Sequence, residues 1–138
     1  MPEESTNPDP VELTRHYIEA ANRRDFDALE SLYTPNVVLR GEMIGTFEGR
    51  AAVRGYWEDM HRPYEQLRGE AEQLVDLGFG VAFVVTVARG RLVGSSADVR
   101  LRYASVLLWT KGLVERQTNY MDIDEARAAA ERLAEERA

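Results

Sequence analysis

The chain contains no cysteine, which removes disulfides, cysteine-ligated zinc, iron–sulfur clusters and thiol catalysis together. It has only two histidines, His16 and His61, far apart in sequence and without clustered carboxylates, so no metal site is expected. No apolar run approaches the roughly 18 residues that a membrane helix needs. The opening residues MPEESTNPDP are acidic and proline-bearing, with neither the basic nor the apolar region of a signal peptide, so a cytoplasmic location is expected. Basic residues are the minority, 17 against 24 acidic ones for a net charge of −7. That balance argues against a broad phosphate-binding surface, and no nucleic acid or membrane partner is expected. P-loop, G-x-G-x-x-G and G-x-S-x-G elements are missing, which leaves nucleotide cofactors and serine-hydrolase chemistry without support.

What is present suits one compact domain: 138 residues, of which 44% are hydrophobic and 30% charged. Residues 1–8 have no apolar pattern and are expected as a loose tail. A helix should start at Asp9, with Pro10 in the first position and Glu12 completing a capping box. Its apolar face is Leu13, Tyr17, Ala20 and Ala21. A second, shorter helix capped by Asp25 would carry Phe26, Leu29 and Tyr33 until Pro35 ends it. Val37-Val38-Leu39 then reads as a strand, and Thr46-Phe47 as its partner after a Gly41/Gly45 turn. Val53, Tyr56, Trp57 and Met60 mark a third helix, closed by Pro63.

Four strands follow, at about residues 68–77, 81–89, 97–110 and 113–121, with a tight turn at Lys111-Gly112. Their short connections imply antiparallel pairing. Asp122-Ile123-Asp124 caps a last helix, whose residues 127–138 read as a charged extension with an end expected to fray. The order ααββαββββ plus that helix is α+β, with a curved antiparallel sheet wrapped around three helices like a cone. Cavities in such a shape are natural small-molecule sites.

The runs from Tyr17 to Tyr33, from Phe47 to Trp57 and from Trp109 to Asp122 resemble the nuclear transport factor 2-like superfamily, nearest to its SnoaL-like branch, which includes polyketide cyclases. The resemblance covers about residues 10–126 and implies a cone-shaped cystatin-like fold. It also implies cofactor-independent acid–base chemistry, such as cyclisation, isomerisation, hydration or dehydration, on a polyketide- or terpenoid-like molecule. A fold of this kind also hosts non-catalytic binding or dimerisation domains.

Position by position, the ketosteroid isomerase pattern needs a tyrosine, a carboxylate base and a protonated acid. Tyr17 matches the first, while the base falls on Gly41, beside Glu42, and the acid on Ser105. The aspartate of the SnoaL-like and epoxide hydrolase branches falls on Asn119, an amide that orients but does not exchange protons. Asp122 either reaches inward through a bulge or caps the last helix, and the capping reading is preferred. Arg100 and Arg102, alternating with Leu101 and Tyr103, should face outward.

Strand parity then predicts a pocket lined by Tyr103, Ser105, Leu107, Gln117, Asn119 and Met121, with Tyr17, Tyr33, Trp57, Met60 and His61 added from the helices. Tyr17 would donate to an oxyanion, Asn119 and Gln117 would orient an apolar, oxygen-bearing ligand, and His61, Glu42 or Asp122 would move the proton. On the other face Ala104, Val106, Leu108, Val114, Thr118 and Tyr120 would form an apolar patch, expected to support an isologous homodimer.

Overall fold

The computed structural model describes residues 8–138, so nearly all of the expected N-terminal tail lies outside the described residues. Helix α1 (Pro10–Asn22) begins as its sequence requires. The Asp9 carboxylate accepts from the Val11 N–H at 3.0 Å, with Pro10 where no donor is needed. Helix α2 (Phe26–Glu30) is capped by Asp25, which accepts from Ala28 N–H. It ends earlier than its periodicity suggests. Tyr33 belongs to strand β1 (Tyr33–Gly41), not to the helix. The adjacent Leu32 carbonyl accepts from Val114 N–H at 2.7 Å, and the Arg50 guanidinium holds the Tyr33 carbonyl at 2.6 and 3.0 Å. These long-range bonds override a local spacing that fits either state.

Strand β2 (Gly45–Glu48) pairs back on β1, and helix α3 (Arg50–His61) follows. Arg54 on α3 pairs with Asp27 and Glu30 and so ties α3 to α2. Strands β3 (Tyr64–Gly78), β4 (Val81–Leu92), β5 (Asp98–Thr110) and β6 (Leu113–Tyr120) complete a six-stranded sheet in the order β2-β1-β6-β5-β4-β3. All neighbours are antiparallel except β1 and β6, which are parallel, so the sheet is mixed. That pairing joins strands distant in sequence, and loop length says nothing about it.

The β5–β6 turn has Lys111 at φ 54° and Gly112 at φ 84°, the two positive values of a type I′ hairpin. At the β3–β4 turn a Cβ on Gly80 would lie 2.4 Å from the Trp109 carbonyl oxygen, a close approach only glycine permits. Strand β3 is an edge, and three register shifts interrupt its pairing with β4, which discourages further strand addition. At its middle, the Asn22 side chain on α1 donates to the Gly69 carbonyl at 2.9 Å and accepts from the Gly69 N–H at 2.8 Å. One amide thereby satisfies the edge as a neighbouring strand would.

The concave face carries the first core: Tyr17 and Ala20 of α1, Leu29 of α2, Val53 and Trp57 of α3, and Tyr33, Val37, Leu39, Ala82, Val84, Leu107 and Trp109 of the sheet. The convex face carries a second, and here two expectations change. Helix α4 (Ile123–Arg137), read as a charged extension, lies against the sheet. Its Ala126, Ala130 and Ala134, one turn apart, pack on Val81, Phe83, Val85, Ala104, Val106 and Leu108. Small side chains let the helix backbone approach the sheet closely, so few apolar residues suffice. The patch of Ala104, Val106 and Leu108 is therefore covered by the chain's own helix, and the homodimer expected through it loses its open surface. Thr118 and Tyr120 remain partly exposed.

Val114 also changes face, because the β5–β6 register shifts between Leu108 and Trp109. Trp109 then opposes Val114 and carries it into the concave core. Beta parity reverses at such a bulge. Replacing Ala130, which is fully buried, by aspartate puts a carboxylate in this second core. The expected loss in urea unfolding is about 3 kcal/mol.

Candidate functional site

Between α1, α3 and the concave face runs a chain of buried hydrogen bonds. The Trp57 indole can only donate, and its Nε1–H reaches the Tyr33 hydroxyl at 2.9 Å. Tyr33 in turn donates to Gln117 Oε1 at 3.1 Å. With its oxygen so occupied, Gln117 donates through Nε2 to the Tyr17 hydroxyl at 3.0 Å and to Asn119 Oδ1 at 3.1 Å. Ser105 Oγ donates to the same Asn119 Oδ1 at 2.7 Å. Five buried or half-buried polar side chains and an indole thus meet in one network. The sequence argument that these groups need a wet cavity underestimates this mutual pairing.

The space left over forms two chambers. The inner one, about 40 Å³, is walled by Tyr17, Trp57, His61, Thr86 and Ser105. The outer one, about 110 Å³, is walled by Glu42, Ile44, Tyr56 and Asn119. Met60 and Tyr103 line both and stand between them. Met43, Leu101 and Met121, exposed at 80%, 44% and 48%, give the outer chamber an apolar mouth.

Burial pushes the phenols of Tyr17, Tyr33, Tyr56 and Tyr103 above their ordinary value. For Tyr17 the neighbouring Tyr33 and Tyr103 add to this. All four stay protonated near neutrality and serve as donors, not bases. His61 is pushed below its ordinary 6.5, first by burial and then by the Arg24 guanidinium, while the carbonyls of Trp57 and Ala21 pull the other way. Its Nδ1 lies 3.0 Å from the Trp57 carbonyl, which accepts, so the proton sits on Nδ1 in the neutral ring. Phe26 and Trp57 pack against the ring, with centroids at 5.5 and 5.9 Å.

The profile of the SnoaL-like domain matches residues 14–117. The chain belongs to that family. Its fold is also that of several solved structures. A protein from Catenulispora acidiphila with a ketosteroid isomerase-like fold, in complex with trimethylamine, has a TM-score of 0.72 at 17% identity over 83% of this chain and 86% of that one. A protein from Shewanella putrefaciens named for its likeness to SnoaL-like polyketide cyclases gives 0.72 at 12% identity, covering 88% and 98%. The epoxide hydrolase/cyclase-like enzyme SalBIII, which takes part in pyran ring formation in the polyether salinomycin, gives 0.71 at 20%, covering 80% and 88%. At such identities the likeness is one of fold. No curated protein matches the chain in sequence.

Within this SnoaL-like frame the expected site residues separate into groups. Tyr17, Trp57, His61 and Ser105 meet at the inner chamber, Glu42, Asn119 and Met121 at the outer, and Met60 and Tyr103 at both. Tyr33, Gln117 and Leu107 do not line either chamber. They lie behind the walls, at most 1% exposed, and Tyr33 and Gln117 act through the hydrogen-bond chain. Asp122 caps α4, accepting from the Glu125 N–H at 3.0 Å, and does not reach inward. His16 is exposed. Among the described residues no cluster of potential metal ligands occurs.

The sequence reading missed Tyr56, Ile44, Leu101 and Met43 as lining. Leu101 shares the inward parity of Tyr103 and could have been found. Met43 sits in a turn, where parity carries no information.

Two measurements check this geometry. Gln117→Leu keeps the volume but strands the Tyr33 proton and the Tyr17 acceptor, with an expected loss of about 3 kcal/mol in denaturant unfolding. His61, titrated by NMR, should show a midpoint below 6.5. Below 6.5 the unfolded chain takes up this proton before the folded one does. Stability should therefore fall as pH drops from 6.5 through the His61 midpoint, and His61→Gln should flatten that slope.

Proposed function

We propose that this SnoaL-like chain binds one apolar small molecule carrying a carbonyl or ether oxygen in the outer chamber, with the Asn119 amide donating to that oxygen. The observation that carries this reading is the orientation of Asn119. Its Oδ1 accepts from both Gln117 and Ser105, which turns the Nδ2 donors away from the network at a residue that lines the outer chamber. The Tyr56 hydroxyl contacts Met60 Sδ at 3.3 Å and helps to hold the partition. At about 110 Å³ the chamber is near the size of the roughly 150 Å³ apolar cavity that takes up benzene. It therefore suits one ring, with the rest of a larger ligand leaving through the mouth.

An acid–base enzyme is the further reading, and one observation favours it: Glu42 is the single carboxylate among the lining residues of both chambers. Glu42 would take a proton from the carbon next to a ligand carbonyl, and the electron pair would move onto the oxygen held by Asn119. Cyclase and epoxide hydrolase names among similar structures are in keeping with chemistry of this kind.

Acetophenone and ethylbenzene, alike in shape and different in one oxygen, provide the test. Calorimetric titration should show a twofold to tenfold preference for the ketone, the strength of one hydrogen bond. Asn119→Leu should abolish that preference. Equal binding of the two by the wild type would remove the donor role. For the enzyme reading, the chain should accelerate deuterium exchange at the acetophenone methyl group in heavy water. Glu42→Gln should lose that exchange while keeping the binding preference.

A further inference from the structure

The convex face of the sheet, beyond α4, carries a row of like charges. Arg68 on β3 pairs in register with Arg89 on β4, and Arg89 with Arg100 on β5. Three arginines thus stand side by side on adjacent strands, all exposed. With strands about 4.8 Å apart their stems span about 10 Å.

Like charges directly opposite one another weaken a sheet. The rows on either side show how this chain normally deals with that: Arg102 bonds Glu72 at 2.8 Å, and Arg91 lies 3.8 Å from Asp98. Among the described residues no ion pair or hydrogen bond engages Arg68, Arg89 or Arg100. The row borders an open groove of about 450 Å³. A chain with a net charge of −7 has acids to spare, yet three arginines are placed in register without one.

We propose that this row binds a compact, soluble oligophosphate, a di- or triphosphate group. Guanidinium forks match phosphate oxygens two at a time, and three forks within 10 Å or so match a short chain of phosphates. The compactness follows from the surroundings. Glu70 and Glu72 on one side and Asp98 on the other border the row. These acids and the net negative charge repel an extended polyanion while leaving a short one in contact with the arginines alone. The site lies on the face opposite the chambers and does not depend on the function proposed for them.

Inorganic tripolyphosphate is the probe, with citrate and a 20-nucleotide oligothymidylate as comparisons, in low salt. NMR of the arginine Nε–H signals should move Arg68, Arg89 and Arg100 together. Arg89→Thr should weaken tripolyphosphate at least tenfold and, because it relieves the repulsion, raise Tm by a few degrees in the free protein. Several results would overturn the proposal: shifts spread evenly over the arginines, unchanged affinity in Arg89→Thr, or a fall in its Tm. Citrate binding as tightly would refute the preference for phosphate. Tighter binding of the oligonucleotide per chain would refute the compact ligand.

Discussion

The interior depends on the indole N–H of Trp57, a group that can donate and cannot accept. It points at the Tyr33 hydroxyl, and from there the bonds run through Gln117 to Tyr17 and to Asn119. Reversing the Gln117 or the Asn119 amide alone would set two acceptors or two donors against each other at their shared contact. Such a mismatch costs about 1–3 kcal/mol for each stranded group. The outcome reaches the outer chamber as an oriented amide, prepared before any ligand arrives. An orientation fixed in the free protein does not have to be established at the moment of binding.

Around this chain the sheet separates two different kinds of packing. The concave side is aromatic and polar, with Tyr17 edge-on to Tyr33 and Trp57 at centroid distances of 6.3 and 5.8 Å. The convex side is a dry contact of alanines on valines, phenylalanine and leucine. Strand β4 serves both, since its successive residues alternate between the two cores, and this explains why it is almost continuously apolar. With α4 closing the convex side, the solvent-facing apolar surface that remains near the site is the rim of Met43, Leu101 and Met121. An exposed rim containing two methionines is adaptable in shape.

The electrostatics follow a similar division. Phenols and an imidazole placed inside stay neutral because burial disfavours their charged forms. Carboxylates remain in pairs at the surface, as around Arg54, or at helix starts, as with Asp9, Asp25 and Asp122. Glu42, in the turn between β1 and β2, is the acid that comes to the edge of the pocket. The inward strand positions hold an amide, Asn119, and a hydroxyl, Ser105.

The sequence by itself determined the element order, the helix starts and the inward parity of Tyr103, Ser105, Leu107, Gln117 and Asn119. Each of these follows from local rules of capping, turn chemistry and a two-residue period. It also determined the family resemblance, and it offered Asp122 both as a cap and as a proton carrier, with the cap preferred. Only the tertiary structure decided that Tyr33 starts a strand, that Val114 turns inward and that α4 covers the convex face. Those outcomes rest on partners remote in sequence: Arg50 and Val114 for the first, the β5–β6 bulge for the second, and the valines of β4 for the third. The same holds for the mutual pairing of Gln117, Tyr17, Tyr33 and Asn119. A sequence shows which polar groups must find partners, but which of them meet is set by distances that exist only after the sheet has curved around its helices.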